Sequence, residues 1–128
     1  MSYYIARMLR MPFADAVAHA TEALKREGFG IITQIDVSET LKQKLGVDYP
    51  SYRILGACNP KLAYEALQME NKVGTMLPCN VVVRDAGNGN IEVAAIDPVA
   101  SMQAIDNADL KRAAETVRAR LQKAVEAL

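Results

Sequence analysis

The chain has 128 residues and two cysteines, and both cysteines keep the same company. Cys58 lies in RILGACNP, residues 53–60, and Cys79 in LPCN, residues 77–80. Each is followed by asparagine and has a proline close by. A pair of thiols can cycle between dithiol and disulfide, or hold a soft ion such as Cu(I). Cys58 has a further property. Asn59 is a good N-cap and Pro60 a good first helical residue, so the spacing predicts a helix that begins directly after this cysteine. Helix amides and the helix dipole favour an anion there, which would activate a thiolate. The plain alternative is a pair of small buried residues at strand ends, because free cysteine is among the most buried residue types.

Other chemistry finds less support. A structural zinc site needs four ligands, and the lone histidine, His19, falls on the polar side of a helical segment and reads as a solvated surface residue. No C-x-x-C spacing occurs, and no metal or cofactor is expected. Gly28-Phe29-Gly30 and Gly87-Asn88-Gly89 are turn glycines, since neither runs from a strand into a helix N-terminus as a phosphate loop must. Asp97-Pro98 would place a carboxylate at the rim that carries the cysteines, or simply start a turn. Arg53 and Arg84 stand in strand-like segments, where a charge faces water or meets a carboxylate. The candidate ligand-binding residues are therefore Arg53, Cys58, Asn59, Cys79, Asn80 and Asp97.

The elements that must position them follow one another closely. Residues 2–9 read as a strand, rich in aromatic and aliphatic residues. Pro12 suits a helix start, Phe13, Val17, Ala20 and Leu24 share one helical face, and Gly28 supplies a left-handed cap. Residues 30–36 form a second strand. Asp36 and Glu39 have capping-box spacing, and a short helix with Val37, Leu41 and Leu45 follows to Gly46. Residues 51–58 are a third strand, then a helix fades near Glu70. Residues 79–85 are a fourth strand, whose Val81-Val82-Val83 run predicts burial on both faces. Gly87-Asn88-Gly89 is the strongest hairpin signal in the chain, and residues 90–96 pair back as a fifth strand. Residues 98–105 are a short connection. Leu110, Ala114, Val117, Leu121, Ala124 and Leu128 then mark one face of a long C-terminal helix.

This order predicts an α+β two-layer sandwich, strand–helix–four strands–helix with short inserted helices. The sheet is mostly antiparallel and the long helices lie on one face. The other face then needs cover, which a homodimer, a ligand or the inserted helices would supply. The residues alone leave the relation of strands three and four open. Antiparallel neighbours would bring both cysteines to one end, on strands roughly 4.8 Å apart and within disulfide reach. A parallel crossover would separate them.

Composition limits the function classes. At this length the chain is expected to be one domain, residues 1–128, able to bury about two thirds of its unfolded surface. Lysine plus arginine and aspartate plus glutamate are 15 each, so the net charge is zero, which argues against a nucleic-acid partner. No apolar run reaches the ~18 residues of a membrane span. Arg7 and Arg10 interrupt the N-terminal apolar stretch where a signal peptide needs an unbroken one. These features predict a cytoplasmic protein with both thiols reduced at rest and no membrane partner.

Residues 27–83, followed by VAAIDPVASM, resemble the domain-of-unknown-function 302 family of small prokaryotic proteins. The likeness rests on Phe29-Gly30 followed by Ile35-Asp36-Val37, on YRILGACNP, on LPCNVVV, and on AIDP with a methionine nearby. Arg53, Gly56, Cys58, Asn59, Pro60, Leu77, Pro78, Cys79, Asn80, Asp97 and Pro98 match the family's signature. The resemblance implies a variant of the TATA-box-binding-protein-like fold and favours antiparallel placement of strands three and four. It implies no established activity, and a fold name carries no function. Three readings follow: a small-molecule-binding or sensing domain at the cysteine-bearing rim, a thiol redox or Cu(I)-binding protein using the same pair, and an interaction module without chemistry. The residues name no substrate and leave enzyme activity open.

Overall fold

The computed structural model describes residues 2–128. Five strands form one sheet: β1 (Tyr4–Arg10), β2 (Gly30–Asp36), β3 (Tyr52–Cys58), β4 (Cys79–Gly87) and β5 (Asn90–Ile96). Their order is β1-β5-β4-β3-β2 and every neighbouring pair is antiparallel. The helices are α1 (Phe13–Arg26), α2 (Val37–Leu45), α3 (Pro60–Met69), α4 (Pro98–Ser101) and α5 (Ala108–Glu126), with a 3-10 turn at Val73–Met76. The expected two-layer α+β sandwich is the observed one. The connection at 98–105 contains α4, and the 3-10 turn had no clear signal in the sequence.

Local chemistry explains most boundaries. β4 and β5 join through Asn88 and Gly89, both at positive φ (56° and 78°), as a two-residue hairpin of matching twist requires. Asn59 caps α3 by accepting from the Leu62 N–H at 3.2 Å, with Pro60 as the first helical residue. Asn107 caps α5 in the same way. Half of the expected capping box forms at α2: Asp36 accepts from the Glu39 N–H, while the Glu39 carboxylate accepts from Gln43.

The core lies between the sheet and the helices. Leu55, Ala57, Val81, Val83, Val93 and Ala95 point from the strands toward Ala16, Val17, Ala20 and Leu24 of α1 and Leu121, Ala124 and Val125 of α5. Strand alternation sets the other face apart. Val82 turns to that open face and is only half-buried, so the valine run is not buried on both sides. The short helix α2 buries none of its residues, and Leu45 is exposed rather than packed. His19 is half-buried on α1, not fully solvated.

Candidate functional site

Antiparallel pairing of β3 with β4 decides where the cysteines meet. Ala57 pairs with Cys79, so Cys58 at the end of β3 and Cys79 at the start of β4 share one end of the sheet. Both thiols are free. Cys79 is buried and Cys58 half-buried. Burial pushes the Cys79 thiol up to about 11, and the neighbouring Cys58 adds to the shift by repelling a second negative charge. At neutral pH Cys79 is therefore a protonated thiol, and Cys58 is the one that solvent reaches.

Both cysteines line a cavity of about 350 Å³. Its floor is the sheet end at Ala57, Cys58 and Cys79. One wall is α3, with Leu62, Ala63 and Ala66; the opposite wall is α5, with Leu110, Ala114 and Val117; Leu77, Pro78 and Met102 close the side. The hollow has a simple origin. α3 starts directly after β3 and leans on α5 and the 3-10 turn rather than lying flat on the strands. Half of the side chains facing across the gap are alanines, too small to fill it. The lining is almost wholly apolar; Asn59 is the one lining residue with a hydrogen-bonding side chain apart from the thiols.

Three of the six sequence candidates thus come together: Cys58, Asn59 and Cys79. The other three go elsewhere. Asn80 follows Cys79 in a strand and so projects from the opposite face, where it borders a second hollow of about 330 Å³ with Tyr3, Tyr52, Val82, Arg84 and Glu92. Arg53 is five residues before Cys58 on β3, roughly 17 Å away at strand rise. It pairs with Asp36 at 3.5 Å and lies over the Phe13 ring at 5.7 Å. Asp36 is held below its ordinary value by the Glu39 N–H, then the Ser38 hydroxyl, with Arg53 adding a smaller pull. Asp97 is at the same sheet end, but its buried carboxylate is occupied. It accepts from the Val99 N–H at 2.9 Å and from Arg118 Nε at 2.9 Å, tying β5 to α5. Arg84 meets Glu92 at 2.8 Å on the open face.

The α5 wall and Met102 carried no functional signal in the sequence, since a stripe that lines a cavity looks like one that fills a core. Asn80 and Arg53 were separable from the site by arithmetic alone: alternation along β4 for one, rise along β3 for the other. Among the described residues no group of three or more potential metal ligands gathers, and no helix is long and apolar enough to cross a membrane.

Comparison with known proteins gives the family and the fold. A comparison with curated proteins finds no match. The crystal structure of an uncharacterized conserved protein DUF302 from Bacillus stearothermophilus superposes with a TM-score of 0.91 at 28% identity, covering 98% of each chain. The family model "Domain of unknown function DUF302" matches residues 5–128. The chain belongs to the DUF302 family.

Proposed function

We propose that this protein is a small-molecule-binding or sensing domain whose site is the cavity at the Cys58–Cys79 end of the sheet. The observation that carries the reading is the size and apolar lining of that cavity. Protein interiors pack to crystal-like density with few voids larger than a water. A hollow of about 350 Å³ falls in the range of ligand sites, roughly 300–1,000 Å³. The apolar walls supply binding energy, and Asn59 with the two thiols supplies the few polar contacts that orient a guest. We read the protein as one cytoplasmic domain, consistent with reduced thiols.

A neutral apolar probe tests this. 1-Decanol should raise the melting temperature of the parent protein, and Ala63→Phe, which fills the cavity from the α3 wall, should abolish the shift. An equal shift in both proteins would place the probe elsewhere and remove the reading.

A second reading, thiol redox, is favoured by one fact: both thiols line one cavity from neighbouring strands. Reaction with a low-molecular-weight disulfide would form one protein disulfide and release two small thiols. The protonated state of Cys79 slows the closing step, which ranks this reading second. Cu(I) binding would face the same cost of deprotonation.

We further propose a homodimer through the open sheet face, where Tyr4 and Met8 of β1 and Ile35 of β2 stay exposed. Light scattering at micromolar concentration should give twice the 14.0 kDa chain mass; the monomer mass would end this proposal.

A further inference from the structure

The cavity is apolar inside, but the groups at one rim are hydrogen-bond donors. Asn59 spends its side-chain oxygen on the Leu62 N–H. That bond fixes the amide orientation, so Nδ2 turns away from α3 toward Gly28. It comes within 2.8 Å of the point where a Cβ on Gly28 would stand, and Arg120 of α5 brings a guanidinium nitrogen to 3.5 Å from the same point. Gly28 is at φ 86°, where the cap of α1 requires a glycine, and the missing side chain lets the Asn59 amide pack against its backbone beside Arg120. Among the described residues Arg120 has no carboxylate partner, and Asn59 Nδ2 makes no hydrogen bond. The N-terminus of the ten-residue helix α3 adds its positive dipole end beside Asn59. Arg120 stands one turn beyond Val117, which lines the cavity, so the cation and the apolar wall are continuous along α5.

We infer that the guest is an amphipathic monoanion: a single apolar chain lying in the cavity, ending in a carboxylate-like head held at the rim by Arg120 and Asn59. This rests on the cavity being a ligand site, as proposed above. A hollow of about 350 Å³ lies within the range of small-molecule sites, and a ten-carbon chain is the probe chosen to test it. A guanidinium meets a carboxylate through two parallel donors, with strength and direction that a neutral head cannot match.

Calorimetric titration with three probes tests the assignment: decanoate below its micellar concentration, 1-decanol as the same chain without charge, and acetate as the head without the chain. The parent protein should bind decanoate at least about tenfold more tightly than 1-decanol, since a charge-assisted hydrogen bond exceeds one decade in affinity. Acetate should not bind, and high salt should narrow the margin. Arg120→Gln, at an exposed position, should erase about tenfold from decanoate and leave 1-decanol unchanged. Asn59→Asp keeps a good cap, removes the donor and adds a like charge, so it should reverse the preference. Equal binding of decanoate and 1-decanol by the parent, or equal losses in Arg120→Gln, would overturn the anionic head while leaving the apolar site intact. Failure of both ten-carbon probes to bind the parent would overturn the site itself and the inference with it.

Discussion

The two halves of α5 present one unbroken apolar stripe and do opposite things with it. Leu121, Ala124 and Val125 press onto α1 and the strands, where the remaining void is about 10 Å³. Leu110, Ala114 and Val117, two to three turns earlier, face α3 across a hollow of about 350 Å³. The residue types hardly differ between the halves; what differs is the partner. α1 lies on the sheet, so its alanines bring backbone close to α5 and the gap closes. α3 is anchored at the sheet's end by Asn59 and Pro60 and stands off the strands, so its alanines leave the gap open. A small residue makes a tight contact or a cavity according to what lies behind it.

The largest expected effect measures that difference directly. Leu121→Ala should cost about 2–5 kcal/mol, the range for a fully buried leucine whose surroundings collapse only partly. Leu110→Ala is equally buried but borders space that already exists, so it should fall at or below the bottom of that range. Urea midpoints of the two variants check it. Equal losses would mean that the α3 side is packed as firmly as the α1 side, and the contrast between the halves would be gone.

Adding volume reverses the test. Ala124→Leu pushes into a filled layer and should destabilise by about 1–3 kcal/mol. Ala114→Leu pushes into the hollow and should be neutral or stabilising, because new apolar surface finds room and leaves water. Thermal melts of both variants decide the sign. Destabilisation by Ala114→Leu comparable to Ala124→Leu would show that the cavity wall cannot accept a larger side chain.

Much of this architecture was legible in the sequence, and the reasons are local. Asn59-Pro60, Asn88-Gly89 and the α5 stripe each fix one backbone decision through a hydrogen bond, a φ value or a periodicity, and each appears where expected. The meeting of Cys58 and Cys79 followed once β3 and β4 were taken as antiparallel neighbours. The cavity was not legible, because periodicity records which face is apolar and not how far away the opposing face stands. Arg120 was hidden for a similar reason: a charged residue on the outer face of an amphipathic helix is ordinary, and only the tertiary approach of Gly28 and Asn59 distinguishes it. Asp97 looked like a rim carboxylate because Arg118, 21 residues later, gives no sign of its partner in the linear order.

The smallest effect separates the two cysteines that this cavity shares. Cys79 has an ordinary value of 9.0 and a folded value pushed to about 11, first by burial and then by Cys58. Below pH 9 the folded and unfolded chains both keep its proton, so Cys79 makes no pH-dependent contribution. Between 9 and about 11 the unfolded chain loses the proton while the folded chain holds it, so stability falls as pH rises, by about 1.4 kcal/mol per pH unit. Contributions that both proteins share cancel in a difference, so the quantity to measure is the difference between parent and Cys79→Ala in urea midpoint at pH 7.5 and pH 10. The parent should lose about 1.4 kcal/mol more than the variant over that interval. Alkylation at pH 8 supplies the local counterpart: iodoacetamide should label half-buried Cys58 in the folded protein and reach Cys79 only in urea. Parallel pH slopes, or equal labelling rates, would mean that solvent reaches Cys79 as it reaches Cys58, and the difference between the two thiols would be gone.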